Sequence, residues 1–111
     1  ASIVAPPEPV MIITLVRFHL PEPVTLEEAT RRFALSAPKY LGLDGLVRKH
    51  YVRSEDGAIV GGIYLWKDRA AAEDCFAGAW GDRVRILYGV DPEITWFESP
   101  VGVDNVLDRI I

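Results

Sequence analysis

Residues 46–67 read LVRKHYVRSEDGAIVGGIYLWK, and this stretch decides the fold. Two runs rich in β-branched and aromatic residues, Leu46–Ser54 and Ala58–Lys67, flank the dipeptide Asp56-Gly57. Such runs favour strands, and an Asp-Gly pair between them favours a tight hairpin turn. The stretch therefore predicts two antiparallel strands, which are the second and third strands of the chain.

Two further strands and two helices complete the pattern. Val10–Leu20 and Pro92–Ser99 have the composition of strands. A capping box at Thr25–Glu28, with Glu28 reaching back, precedes the first helix, and Asp68 is the predicted N-cap of the second. The resulting order β-α-β-β-α-β is the ferredoxin-like α+β arrangement. We expect a four-stranded antiparallel sheet in the order 4-1-3-2, with both helices on one face.

The ends of these elements are also predictable. Pro38 is expected to bend or end the first helix, and residues 80–89 predict only a short helical turn. After Pro100 the tail predicts either a last helical turn or an extended arm. Asp104-Asn105 is expected to cap that turn, with a reach across a dimer as the alternative.

The composition bounds the class of protein. A chain of 111 residues points to one domain, and we predict a proline-rich arm over residues 1–10 before a single domain over residues 11–111. The net charge of −4, without a basic stripe, argues against a nucleic-acid partner. The apolar runs are too short for a membrane helix. Cys75 cannot form an internal disulfide, fits a cytoplasmic location, and has no metal-ligand spacing to His19 or His50, so we expect no metal.

The hairpin register sets which residues share a face of the sheet. The facing pairs are Lys49 and Tyr64, Tyr51 and Gly62, and Val47 and Trp66. We predict that this face lies away from the helices, beside Ile13 and Leu15 of the first strand, with Trp96 as a further member. His50 then falls on the helix-covered face, and a slip of one residue would reverse that placement.

The face without helices is therefore predicted to be aromatic and aliphatic. An antiparallel sheet with one wet face normally alternates apolar and polar residues. Burying each large apolar side chain is worth roughly 1.5–3 kcal/mol, so leaving several of them in water is unfavourable. We expect two copies to pack face to face as a C₂ homodimer that encloses a cavity. The alternative is that the tail or the arm folds back over its own sheet.

Four segments carry a resemblance to a known family. They are Ala37–Tyr40 (APKY), Gly45–Lys49 (GLVRK), Gly61–Trp66 (GGIYLW) and Pro100–Asn105 (PVGVDN). From about Met11 to Asn105 the chain resembles the YdhR-type mono-oxygenase proteins, within the wider dimeric α+β barrel group. The resemblance implies a homodimer with a pocket for a small-molecule ligand beside the sheet. It also implies oxidation of a small aromatic compound by O₂ without flavin, haem or metal, and hence no cofactor.

A cofactor-free oxygenase needs a base, a group that holds an oxyanion, and a dry apolar pocket. Lys49 is the candidate base or anion-stabilising group, and Tyr64 is a candidate hydrogen-bond donor, so these two are the predicted catalytic residues. His50 becomes a candidate if the register slips. The predicted substrate-binding residues are Arg17, Tyr51, Trp66 and Trp96.

Each candidate has a structural alternative. Lys49 would snorkel from the edge of the sheet, and Arg17 would pair with an acid such as Glu98. Tyr64 and Trp66 would be plain interface core. Three function hypotheses follow: a cofactor-independent mono-oxygenase acting on a small aromatic or enolisable compound, a non-catalytic small-molecule binder, and a cofactor-free isomerase or cyclase.

Overall fold

The computed structural model describes residues 10–111, so the predicted arm lies outside the described residues except for Val10. The strands are β1 (Met11–His19), β2 (Leu46–Arg53), β3 (Ile59–Trp66), β4 (Glu93–Ser99), β5 (Val103–Asp104) and β6 (Arg109–Ile110). The helices are α1 (Leu26–Ser36), α2 (Arg69–Phe76) and α3 (Trp80–Tyr88). The first four strands form one antiparallel sheet in the order β2-β3-β1-β4, which confirms the predicted ferredoxin-like sheet. The division into an arm and one domain stays a prediction.

The first helix begins and ends at its sequence signals, with one difference. The Thr25 hydroxyl accepts a hydrogen bond from the Glu28 backbone N–H at 3.1 Å, as an N-cap does. The Glu28 carboxylate instead accepts from Arg31 and Arg32, so the return bond of the predicted capping box is replaced by ion pairs within the helix. The helix ends at Ser36, and Pro38 lies in the 3₁₀ turn that follows.

The segment after α2 is a full helix, whereas the sequence predicted only a turn. Helix α3 has nine residues, and its C-cap is Gly89, whose φ of +79° suits a glycine. Ala79 provides no side-chain cap, which is why no start signal is visible in the sequence. Its buried residues Trp80, Val84 and Tyr88 recur at intervals of four and pack onto the sheet. No helix within residues 10–111 combines the length and apolarity that a membrane crossing requires.

The hairpin between β2 and β3 has the predicted register, except at its open end. Lys49 faces Tyr64, and Tyr51 faces Gly62. A β-bulge after Leu46 shifts the pairing, so Leu46 faces Trp66 and Val47 has no facing partner. The prediction that Val47 faces Trp66 is therefore wrong, because one extra residue is accommodated in β2.

The placement of the aromatic residues relative to the helices is the main correction. Strand β1 pairs with β3 so that Thr14 faces Tyr64 and Ile12 faces Trp66. Because Ile12 and Thr14 are buried beneath the helices, Tyr64 and Trp66 lie on the helix-covered face and not on the open one. The indole N–H of Trp66 donates to the Thr14 hydroxyl at 3.0 Å, which satisfies both buried polar groups.

The same pairing places the other predicted residues. Lys49 and Tyr51 share the helix-covered face with Tyr64, and Trp96 joins them because it faces Thr14 across β4. His50 faces Ile63 and is exposed on the opposite face, so its predicted position under the helices is also wrong. The hairpin fixes which residues go together, but only the β1–β3 pairing fixes the side on which they lie.

The open face of the sheet is nevertheless apolar, as expected. We call it the helix-free face, and its large apolar members are Ile13, Leu15, Ile63, Leu65 and Phe97. Ile63 and Phe97 keep 42% and 50% of their surface exposed. The tail is an extended arm, a small hairpin of β5 and β6, and the Asp104 carboxylate caps its turn at the N–H groups of Val106 and Leu107. This hairpin covers only one end of the helix-free face.

Gly61 offers a test of the close packing between β1 and β3. A Cβ atom at this position would lie 1.8 Å from the backbone oxygen of Val16, where no side chain can give way. We expect Gly61→Ala to lower the free energy of unfolding by about 2–4 kcal/mol in a denaturant titration. The control is Gly81→Ala, in α3, where a Cβ meets nothing within 4 Å. This variant should gain up to about 1 kcal/mol, and equal effects of the two would contradict the packing.

Candidate functional site

The candidate site is a small cavity between the helices and the sheet, with a volume of about 30 Å³. It is lined by Phe18, Ser36, Lys39, Tyr40, Lys49, Tyr51, Gly61, Gly62, Tyr64, Arg83, Val84, Leu87 and Tyr88. Strands β1, β2 and β3 form its floor, and the end of α1 and the face of α3 form its walls. A space of this size holds one or two waters, and the exposed residues Lys39, Arg83 and Leu87 lie on its solvent side.

The Lys49 amine is enclosed by aromatic rings. Its Nζ lies 3.4 Å from the centroid of the Tyr40 ring, 3.9 Å from that of Tyr51 and 4.5 Å from that of Tyr64. Within residues 10–111 no carboxylate oxygen comes within 4.0 Å of this Nζ. Gly62 leaves the necessary room, because a Cβ there would lie 3.1 Å from the Lys49 Cε. The amine therefore sits in a three-tyrosine box without a counter-ion.

This environment changes the protonation of the amine. Burial lowers the pKa of Lys49 to about 7, because the charged form loses its hydration. Cys75 opposes this shift and the nearby Arg83 adds to it. The ring faces attract the protonated amine and offset part of the desolvation cost. Near neutral pH, Lys49 is thus present partly as a neutral amine that can accept a proton or attack an electrophile.

The tyrosines around Lys49 are hydrogen-bond donors and not bases. Burial, with a further contribution from Tyr40, raises the pKa of Tyr64 far above its usual range. Burial also raises the pKa of Tyr51, whose hydroxyl forms a short hydrogen bond with Ser36. The Tyr40 hydroxyl accepts a hydrogen bond from the Trp80 indole at 3.1 Å, which fixes that ring. The phenols of Tyr51 and Tyr64 therefore stay protonated at neutral pH.

The cavity lining is cationic although the whole chain is acidic. Lys39, Lys49 and Arg83 line the cavity, and no aspartate or glutamate does. The formal net charge of the chain is −4. Positive groups around an apolar chamber favour a ligand that carries or develops negative charge.

The structure brings some of the predicted site residues together and separates others. Lys49, Tyr64 and Tyr51 line the same cavity, whereas Trp66 is fully buried behind Tyr64. Trp96 packs against Phe76 and the Arg69 guanidinium, outside the cavity lining.

Two other candidates, Arg17 of β1 and His50 of β2, lie on the helix-free face. Arg17 donates to the Glu93 carboxylate at 3.5 Å and to the Thr95 hydroxyl at 3.2 Å. The predicted acid partner is thus present, but it is Glu93 and not Glu98, since the β1–β4 register puts Glu93 opposite Arg17. His50 is exposed on this face, away from the cavity.

Most of the lining residues were not among the predicted site residues, and Tyr40, Arg83 and Tyr88 are the main examples. Tyr40 appeared only within the Ala37–Tyr40 segment of the family resemblance, and Arg83 and Tyr88 belong to α3, which was predicted as a turn. The spacing of Trp80, Val84 and Tyr88 was the available signal, because it is helical and apolar on one side. A prediction of α3 as a nine-residue helix would have placed Arg83 next to the buried residues Val84 and Trp80.

A second, larger cleft lies on the helix-free face. It has a volume of about 580 Å³ between the tail hairpin and the ends of β1, β2 and β3, with Ile13, Val47, Leu65 and Val106 among its apolar walls. Within the described residues, no group of three His, Cys, Asp or Glu side chains is placed to hold a metal ion.

Comparison with known proteins supports the fold. No protein-family model matches the sequence, and no curated protein matches it either. Among solved structures, SnoaB, a cofactor-independent oxygenase from Streptomyces nogalater, shares 20% identity at a TM-score of 0.62, over 81% of this chain and 93% of that protein. A monooxygenase from Streptomyces coelicolor, solved with nanaomycin D bound, shares 18% identity at a TM-score of 0.63, over 81% and 88%.

A proposed antibiotic biosynthesis monooxygenase from Caulobacter crescentus gives a similar result, with 16% identity and a TM-score of 0.63 over 81% of this chain and 90% of that protein. All three likenesses are at low identity, so they establish a shared ferredoxin-like α+β fold. The narrower YdhR-type assignment stays a prediction.

The buried amine predicts an unusual dependence of stability on pH. Because the pKa of Lys49 falls from 10.5 to about 7 on folding, the unfolded chain binds its proton more tightly. Wild-type stability therefore gains a contribution as the pH rises from about 7 toward 10.5. We expect Lys49→Met to be more stable than wild type below pH 7, by up to about 4 kcal/mol, and this advantage to shrink toward about pH 10.

Urea titrations at a series of pH values would measure the difference. The control is Lys67→Met, since Lys67 is half exposed and pairs with Asp44 at 3.5 Å. The free energy of unfolding of that variant should differ from the wild-type value by an amount that barely changes between about pH 6 and about pH 9. If the difference in free energy of unfolding between Lys49→Met and wild type were constant over this range, the lowered pKa of Lys49 would be contradicted.

Proposed function

We propose that this protein is a cofactor-independent mono-oxygenase of the YdhR type that acts on a small aromatic or enolisable compound. The observation that carries the proposal is the Lys49 amine, held without a counter-ion in the three-tyrosine box. The fold is shared with a cofactor-independent oxygenase and with a monooxygenase solved in complex with nanaomycin D, which supports the same class. The sequence-based expectation of a cytoplasmic location accompanies the proposal.

The first step is removal of a proton from the substrate. Neutral Lys49 accepts a proton from an enolisable or phenolic position, since its pKa of about 7 suits a base at neutral pH. Tyr64 and Tyr51 donate hydrogen bonds to the oxygen on which negative charge develops, and Arg83 adds a fixed positive charge. The protonated Lys49 then lies beside the anion and stabilises it further.

Oxygen reacts with the anion in the second step. The carbanion gives one electron to O₂, and the two radicals combine into a peroxide that takes a proton back from Lys49. Loss of water leaves a carbonyl, so a CH₂ group and O₂ become C=O and H₂O. The substrate supplies all the electrons, and the apolar chamber keeps bulk water from the anion.

The size of the cavity sets a condition on entry. About 30 Å³ is less than a single aromatic ring occupies, because a cavity that binds benzene measures roughly 150 Å³. Lys39 and Leu87 line the cavity and are exposed, so they mark its mouth. A ring enters when these side chains, and the end of α3 that carries Leu87, move outward.

Assembly is the second part of the proposal. The helix-free face carries Ile13, Leu15, Ile63, Leu65 and Phe97, and the tail hairpin leaves Ile63 and Phe97 exposed. A second copy would cover this face and the cleft beside it through a two-fold axis. Because the proposed chemistry lies on the other side of the sheet, the homodimer would shelter the sheet without enclosing the Lys49 cavity.

Oxygen uptake tests the proposed activity. With hydroquinone-like and enolisable substrates under metal-free conditions, we expect substrate-dependent O₂ consumption by the wild-type protein. Lys49→Met should lower kcat/KM at least about 100-fold, because it removes the base. Tyr64→Phe should lower it about tenfold, because it removes one donor. Lys67→Met is the control, and it should retain wild-type rates.

Other outcomes distinguish the remaining hypotheses. Saturable binding of the same compounds without O₂ uptake would identify a non-catalytic binder. Conversion that continues in the absence of air would identify an isomerase or cyclase on the same fold. O₂ uptake that survives in Lys49→Met would overturn the assigned role of the amine.

Sedimentation tests the homodimer. Ile63 lies on the helix-free face between β1 and β2. In a two-fold dimer each subunit contributes this residue, so Ile63→Glu would place one charge on each side of the interface. We expect the dissociation constant to rise at least about 100-fold, since two large apolar contacts are lost per dimer. Leu41→Glu is the control, because Leu41 is 88% exposed on a loop outside this face. A wild-type chain that sediments as a stable monomer at micromolar concentration would overturn the assembly.

A further inference from the structure

The Lys49 box contains more than a base. A neutral amine is also a nucleophile, and lysines used for covalent chemistry with carbonyl compounds are those desolvated in an apolar pocket or held near another cation. Lys49 meets both conditions, because three rings surround its Nζ and Arg83 lines the same cavity. No carboxylate within residues 10–111 lies within 4.0 Å to hold the amine in its charged form.

The cavity also indicates which carbonyl compounds fit. Its volume of about 30 Å³ is small, so a carbonyl compound of a few heavy atoms requires less outward movement of the lining side chains than an aromatic ring does. Its charged lining residues are all cations, with Arg83 able to bind a carboxylate through two parallel hydrogen bonds. A small molecule with a carbonyl next to a carboxylate matches both features.

The geometry points to Lys49 as a Schiff-base lysine for small 2-oxo acids. The Nζ attacks the carbonyl carbon and forms the C–N bond. Both amine hydrogens end on the carbonyl oxygen, relayed by the hydroxyls of Tyr40 and Tyr64, and that oxygen leaves as water. The imine forms without any oxidant or reductant, while Arg83 holds the carboxylate at the mouth of the cavity. This activity goes beyond the proposed oxygenase, because it uses the amine as a nucleophile and needs no O₂.

Reductive trapping tests the inference. The full-length protein is incubated anaerobically with glyoxylate and cyanoborohydride, which converts an imine into a stable secondary amine, and the adduct is located by mass spectrometry of peptides. The chain has three lysines, Lys39, Lys49 and Lys67, so the two exposed ones report non-specific labelling in the same sample. We expect Lys49 to be labelled first, at a glyoxylate concentration at least about tenfold lower than the other two require.

Two variants separate the parts of the site. Lys49→Met should abolish the selective adduct, while Lys67→Met should leave it unchanged. Arg83→Gln should raise the glyoxylate concentration for half-labelling by about tenfold or more, because a charged hydrogen bond is lost. The same variant should change labelling by glycolaldehyde, a neutral aldehyde of similar size, much less, because only the effect of Arg83 on the protonation of Lys49 is lost and no carboxylate contact. Since Arg83 is exposed, we expect Arg83→Gln to fold as the wild-type protein does.

Two results would overturn the inference. One is labelling spread evenly over the three lysines, and the other is an effect of Arg83→Gln that is equal for glyoxylate and glycolaldehyde. Because the experiment excludes O₂, its outcome is independent of the oxygenase proposal. Trapping at Lys49 without O₂ uptake would support the Schiff-base inference and contradict the oxygenase proposal. O₂ uptake without trapping would support the role of Lys49 as a base and contradict the Schiff-base inference.

Discussion

The pairing of β1 with β3 is the constraint on which the rest of the structure depends. It sets Thr14 against Tyr64 and Ile12 against Trp66, and the Trp66 indole N–H bonded to the Thr14 hydroxyl holds this register inside the core. A shift of one residue would turn every side chain of β3 to the other side of the sheet. The tyrosines, the lysine between them and the cavity all follow from this one alignment.

Burial of a charged amine without a counter-ion is costly, and the surroundings of Lys49 reduce that cost in two ways. The ring faces of Tyr40, Tyr51 and Tyr64 attract the cation, and the lowered pKa lets the amine lose its proton near neutrality. A structural lysine would need neither adaptation, because its long stem can usually carry the charge to water. The arrangement is thus typical of a site whose amine has a chemical role.

The two faces of the sheet have separate tasks in this interpretation. The helix-covered face holds the aromatic core and the cavity, with Lys49 and Arg83 as its reactive and charged groups. The helix-free face holds the aliphatic residues together with Phe97 and the Arg17–Glu93 ion pair, and it offers a surface for a second copy. The reactive groups and the proposed assembly surface therefore lie on opposite faces of one sheet. Substitutions on either face can be tested independently.

The sequence by itself determined the elements and the local pairing. Asp56-Gly57 fixed the hairpin, Thr25 and Asp68 fixed the helix starts, and the hairpin register brought Lys49 opposite Tyr64. These features depend on residues close together in the chain, where turn geometry and capping leave few alternatives.

Only the tertiary structure decided which side of the sheet the helices cover. That choice required the register of β1, whose residues lie 40 to 54 positions before their partners in β3, and the full length of α3, whose N-cap residue Ala79 makes no side-chain capping bond. It placed Tyr64 and Trp66 under the helices, left Arg17 on the face opposite the site, and added Tyr40, Arg83 and Tyr88 to the site. Alternation along a strand shows which residues share a face, but the packing of distant elements determines whether that face meets helices or remains open.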